Sequence, residues 1–290
     1  MTSGSRRFCV VQFEFPWALG PQDGRYPIRE HLGEAPSHVL VLRTLDAAQR
    51  RLLRRRSRAV EATADLPPEP VPTTRATLVD AVALDGDEAA SRWLVNADLE
   101  ALAADALARL NRVLHAHRIA AADPYVREVA LAQALVVRVG FGDGERVAEG
   151  RWDRARELRQ ERPRARAGRR GGGPRSQERL AALLAGRDAA LACEELTVRV
   201  RLDVDADRWR EAALGLRAAL EAALAELEPW REAASLAARL TELRARRDEV
   251  DAAARTALQR GLDDDEIAVV AAVLQRLEAA LRARAADAAR

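Results

Sequence analysis

The most regular apolar pattern lies in the last third of the chain, from about Asp207 to Arg290. Trp209, Ala213, Leu216, Leu220, Leu224 and Leu227 recur on three- and four-residue steps, which places them on one face of a helix. A second stripe runs through Leu236, Leu240, Leu243, Val250, Ala254 and Ala257, with Arg247 at the remaining seam position. It predicts one helix over 229–260, roughly 45 Å long. Pro229 suits its first turn, and Gly261 suits the left-handed residue beyond its end. A third stripe, Ile267, Val270, Leu274, Leu277 and Leu281, follows Asp263–Asp265, which offer an N-cap and negative charge at a helix start. The breaks are short, so the stripes predict antiparallel neighbours: a helical hairpin or a three- to four-helix bundle with coiled-coil-like seams.

Upstream the period shortens. Residues 8–15 place Cys9, Val11, Phe13 and Phe15 on one face of a strand that Pro16 ends. Residues 20–36 carry Gly, Pro and Asp turn formers and predict a loop. Further strands are predicted at 38–42, 74–84 and 132–141. A helix over 88–122, interrupted near Asn96–Asp98 and stopped by Asp123–Pro124, lines up Leu99, Leu102, Ala106, Leu110, Leu114 and His117. Gly142–Gly144 reads as a tight turn into a returning hairpin arm at 145–149. Ser176 is placed as the N-cap of a helix through Leu180, Leu183, Leu184 and Leu191. Residues 196–204 alternate as a half-buried strand would, yet their helical flanks tip the assignment towards helix.

The fold class predicted is therefore α+β: a small mixed or antiparallel sheet with one or two helices, then a mainly helical domain. The boundaries drawn are an α+β domain over 1–160, with a basic and proline-rich insert at about 46–73, a flexible linker at 161–175, and a helical domain over 176–290. Two stretches stand out by charge. The insert holds Arg50, Arg51, Arg54, Arg55, Arg56 and Arg58, followed by a polyproline-type run at 67–72. The connector 151–179 holds eleven arginines against four acids, a local charge of +7, with Arg162, Arg164, Arg166, Arg169 and Arg170 at its centre.

Composition tempers that signal. All 47 basic residues are arginine and 45 acids oppose them, for a net charge of +2. A lysine-free, Ala- and Arg-rich chain points to a GC-rich coding sequence, so abundant arginine is not itself a nucleic-acid signature. The absence of lysine excludes a Schiff base, pyridoxal-phosphate attachment and a lysine-bearing phosphate loop. Cys9 and Cys193 are far apart and read as two buried thiols in a reducing cytoplasm. Ser5-Arg6-Arg7-Phe8 resembles the opening of a twin-arginine signal, but Gln12, Glu14 and Pro16 interrupt the apolar segment such a signal needs. No apolar run is long enough to predict a membrane span.

Candidate chemistry is sparse. Gly140-Phe141-Gly142-Asp143-Gly144 follows a strand, but with no helix expected to open after it, a phosphate cradle is not predicted. Of four histidines, His31 and His38 bracket a loop, while His115 and His117 diverge by roughly 200° on a helix. Arg112 and His117 form an Arg-x4-His spacing that resembles the motif of HEPN-type ribonucleases. That resemblance, over six residues, implies a pair that polarises an RNA phosphate and moves the 2′-hydroxyl proton. Here the two residues lie roughly 140° apart on a straight helix, and His117 falls on the apolar face. No metal or cofactor is expected. The expectation is a non-enzymatic interaction or scaffolding protein that meets a protein partner or a second copy through its helical seam: Leu236, Leu240, Leu243, Arg247, Val250, Ile267, Val270, Leu274, Leu277 and Leu281. The alternatives are nucleic-acid or polyanion binding through the arginine-rich stretches and, more remotely, a HEPN-like ribonuclease.

Overall fold

The computed structural model describes residues 6–31, 33–45, 73–158 and 174–288. The chain forms two compact units, 1–164 and 165–290. The arrangement is α+β, an antiparallel sheet followed by helices. The arginines of the 46–73 insert and those of 162–170 lie outside the described residues, as does the proline run.

In the first unit the order is β1 (Arg6–Phe15), β2 (Gly24–Ile28), β3 (His38–Leu45), β4 (Thr73–Asp85), α1 (Gly86–Asn96), α2 (Leu99–Ala121), β5 (Val136–Gly142), α3 (Gly144–Ala148) and β6 (Arg154–Glu157). The strands form one sheet in the order β2-β3-β4-β1-β5-β6, and every pairing is antiparallel. Alternation along the strands sends Val11, Phe13, Phe15, Leu40, Leu42, Leu78, Val137, Val139 and Phe141 to one face. There they close against Ala90 and Leu94 of α1 and Ala103, Ala106, Leu110 and Leu114 of α2. On the other face α3 lays Val147 and Ala148 over Val10, Val41 and Val79. The polar interruption at 96–98 does divide the helices: the Asp98 carboxylate accepts from the Glu100 and Ala101 amides and caps α2.

Three sequence expectations for this unit are corrected. The loop expected at 20–36 contains β2, an edge strand in which only alternate residues, Tyr26 and Ile28, turn towards the core side. The strand expected from residue 132 begins at Val136, after a single 3-10 turn at Leu131–Gln133. Residues 145–149 are not a hairpin arm. Asp143 accepts from the Glu145 amide and starts the short helix α3, so a helix does open directly after the glycine run. The chain returns as β6 instead, after Gly150 takes a left-handed φ of +79°. Gly140 permits that return: a Cβ there would stand 2.3 Å from the Arg154 carbonyl oxygen.

The second unit contains α4 (Pro174–Leu184), α5 (Ala192–Asp205), α6 (Trp209–Glu226), a 3-10 turn at Glu228–Trp230, α7 (Ala237–Ala245), α8 (Arg247–Gln259) and α9 (Asp264–Ala288). Helix α6 packs against α5, α7, α8 and α9. Its inward face is Ala212, Ala213, Leu216, Ala219, Leu220 and Ala223, small enough to bring neighbours close. A Cβ on Gly215 would lie 2.9 Å from a Val200 methyl, so α5 and α6 touch nearly backbone to side chain. Residues 196–204 are helical within α5.

Here too the sequence reading needs correction. The single helix expected over 229–260 is three pieces: the 3-10 turn, α7 and α8, with Arg246 non-helical between the last two. The seam register is kept across the break, with Leu243 and Val250 both buried. Arg247, at the seam position between them, stays exposed and bonds both carboxylate oxygens of Glu221 at 2.5 and 2.7 Å, which avoids enclosing an unpaired charge. Gly261 does not supply a left-handed cap; Arg260 ends α8 in extended conformation, with φ −151° and ψ 179°. Ser176 lies inside α4 rather than capping it, because Pro174 takes the first helical position. Asp263 does cap α9, in a reciprocal pair of bonds with Glu266.

Candidate functional site

The helical seam named from the sequence is interior. Leu236, Leu240, Leu243, Val250, Val270, Leu274, Leu277 and Leu281 are all buried in the core of the second unit. Ile267 is half-buried, and Arg247 points outward to Glu221. Those residues are occupied by one another, so none of the eight buried ones is a surface in the folded chain.

What the core leaves outside is a different set. On α4, Leu180 is 48% exposed and Leu184 81% exposed, and no leucine of this helix belongs to the core cluster. On α5, whose buried face is Cys193, Thr197 and Val200, the opposite face exposes Val198 and Leu202. Each pair is spaced i, i+4 and so shares a helix face. Sequence reasoning placed these residues on helices without marking them; their signal is an apolar pair left over once the buried face is counted.

Helix α4 is nonetheless anchored. Arg179 bonds both oxygens of Glu194, at 2.6 and 2.8 Å, and Asp188 at 3.2 Å. Arg284 of α9, only 4% exposed, bonds Asp188 at 2.7 Å and lies 5.2 Å from the Trp230 ring centroid. Burial opposes ionisation of Asp188, but hydrogen bonds from Arg179, the Ala189 amide and Arg284 outweigh it and hold the carboxyl below its ordinary range. Nearby, Glu226 accepts from the Ala192 and Cys193 amides and caps α5 from the end of α6. Its carboxyl is lowered chiefly by the Cys193 amide bond.

In the first unit the ionisable groups gather where α2 meets the β2–β3 connection. Glu30 accepts from Arg112 at 2.9 Å and from the Ser37 hydroxyl at 3.1 Å, with Arg109 at 3.5 Å. The Arg112 hydrogen bond above all lowers the Glu30 carboxyl to about 2. His38 lies 3.1 Å from the Ser37 hydroxyl, and burial, with Arg109, pushes its pKa down. Arg112 is thus held by Glu30, while half-buried His117 packs beside Gly20 and Val126. The structure gives Arg112 and His117 separate surroundings, so the resemblance to the ribonuclease motif rests on spacing alone. His115 bonds Arg118 at 2.9 Å and approaches Glu128.

Burial raises both thiols, Cys9 and Cys193, to about 12, which leaves them protonated and unreactive at neutral pH. Among the described residues no group of His, Cys, Asp and Glu is arranged to hold a metal ion, and no helix is long and apolar enough to cross a membrane. Against family models, curated proteins and solved structures alike, comparison of this chain yields no match.

Proposed function

We propose that the protein is a non-enzymatic interaction or scaffolding module that self-associates through its helical unit, using the outer face of α4 rather than the interior seam. The observation that carries this reading is the condition of α4. Its leucines stay out of the core, yet Arg179 fixes the helix in place through Glu194 and Asp188. An amphipathic helix held rigid with an open apolar stripe is preorganised for a partner helix, because little further ordering remains at association. A second copy is the simplest such partner, since an isologous contact reuses the same stripe on both sides.

Sedimentation velocity across a concentration range tests the reading. The wild-type chain is expected to dimerise, and Leu180→Glu with Leu184→Glu to be monomeric with unchanged helicity. A wild-type chain that stays monomeric throughout removes self-association; a dimer indifferent to both substitutions removes α4.

A second reading is favoured by the distribution of charge. Residues 50–58 carry six arginines and no acid, and 162–170 carry five and no acid, whereas arginines elsewhere are largely matched. Such stretches suit nucleic acid or another polyanion. Retention on heparin that weakens steeply with salt, and falls when either stretch is neutralised, is the result expected of that reading.

A further inference from the structure

The two edges of the sheet differ. Strand β2 carries Pro27, which has no N–H to offer a further strand, so that edge is blunted. Strand β6 contains no proline. The Leu158 amide bonds the Val137 carbonyl and the Asp153 amide bonds the Phe141 carbonyl, both at 2.9 Å. In the register between them Arg156 faces Val139 and Arg154 faces Phe141. Arg154 and Arg156 therefore direct their main-chain groups at β5, and Ala155 and Glu157 direct theirs away from the sheet.

The side chains alternate as well. Arg154 and Arg156 turn to the α1 side, where they bond the Ser91 hydroxyl at 3.2 Å and the Leu94 carbonyl at 3.3 Å. Neither meets a carboxylate among the described residues, although most neighbouring arginines do. Ala155 and Glu157 turn to the opposite face, where Trp152 stacks under Arg138 at 5.1 Å. Between β6 and α1 lies an open cleft of about 470 Å³, bordered by Ser91, Leu94 and Val95 on one side and by 152–156 on the other, where the Asp153 carboxylate is already paired with Arg7 and Arg146.

We propose that β6 is the docking edge for an extended acidic peptide, which adds as a seventh, antiparallel strand with carboxylates opposite Arg154 and Arg156 and apolar side chains opposite Ala155 and Glu157. Main-chain bonds to Ala155 and Glu157 supply the affinity and the Arg154 and Arg156 guanidiniums supply the selectivity. Charge argues against a second copy here, because antiparallel pairing of two β6 edges would bring arginine against arginine.

The test uses the full chain and the blocked peptide Glu-Val-Glu-Val-Glu-Val-Glu, titrated by calorimetry. Saturable binding that weakens with salt is expected, with none for the lysine counterpart. N-methylation at the valines, whose amides face β6, should weaken binding roughly tenfold or more, and N-methylation at the internal glutamates, whose amides face solvent, should not. Ala155→Pro removes an outward N–H without touching the β5 ladder and should abolish binding. Absence of binding would mean that Arg154 and Arg156 merely guard the edge. Equal weakening by both methylation patterns, or a chain dimer lost in Ala155→Pro, would equally overturn the proposal. Because the peptide probe engages the first unit alone, these outcomes are independent of the α4 reading.

Discussion

Two ion clusters in this molecule are built from the same residue types and differ mainly in depth. In the first unit the Glu30 side chain is 35% exposed and its main partner Arg112 51% exposed, while Arg109 behind them is largely buried. In the second unit the Asp188 side chain is only 10% exposed and Arg284 4%, with Arg179 half-buried. Water screens the Glu30–Arg112 pair, so that pair chiefly tunes ionisation. The second is desolvated, so losing one member strands a charge and the structure around it.

Breaking the buried cluster should have the largest effect. Arg284→Ala is expected to lower unfolding stability by about 3–5 kcal/mol in urea titration, because Asp188 loses its α9 partner inside the unit. Arg284→Met with Asp188→Leu should recover most of that loss, since no orphaned charge remains. A loss below about 1 kcal/mol for the single change would show the cluster to be solvated.

The exposed cluster should answer in pH instead. The Glu30 carboxyl is lowered to about 2, so its stabilising contribution is complete above the unfolded value near 4.3 and is lost as pH falls through about 2. Arg112→Ala should move the Glu30 titration, followed by carboxyl NMR, up towards 4.3. At neutral pH it should cost no more than about 1 kcal/mol. A Glu30 titration unmoved by this change would contradict the assignment of Arg112 as the main cause.

The smallest effect is expected at Arg247, and it decides between the sequence and the structure. At a surface pair with Glu221, Arg247→Ala should leave the melting temperature almost unchanged. At a buried seam position Arg247→Leu would instead stabilise the helical unit markedly. Thermal melts of the two variants separate these cases.

These contrasts also mark what the sequence made legible. Residues 8–15 and 74–84 alternate apolar and polar positions strongly enough to reveal central strands, and leucine spacing located the interior of α6 and α9. The break at Arg246 was hidden because the seam rhythm runs straight through it, from Leu243 to Val250, both of them buried. Strands β2 and β6 were missed because edge strands need little apolar alternation, and Arg-Ala-Arg-Glu at 154–157 carries almost none. The Asp188 cluster left no local signal, since Arg284 arrives from 96 residues away. Leu180, Leu183 and Leu184 were read correctly as helical, whereas Leu191, expected on the same helix, is the extended residue before α5; only the finished core shows that the leucines of α4 are not consumed by it.

The alternating run from Leu196 to Val204 gives α5 a second nature. Folded, it is a helix secured by the Glu226 cap and by Val200 against Gly215. Melted, the same residues form a segment rich in β-branched side chains, well suited to cross-β stacking between chains. Arg199, Arg201, Asp203 and Asp205 then stand as gatekeepers between reversible denaturation and precipitation.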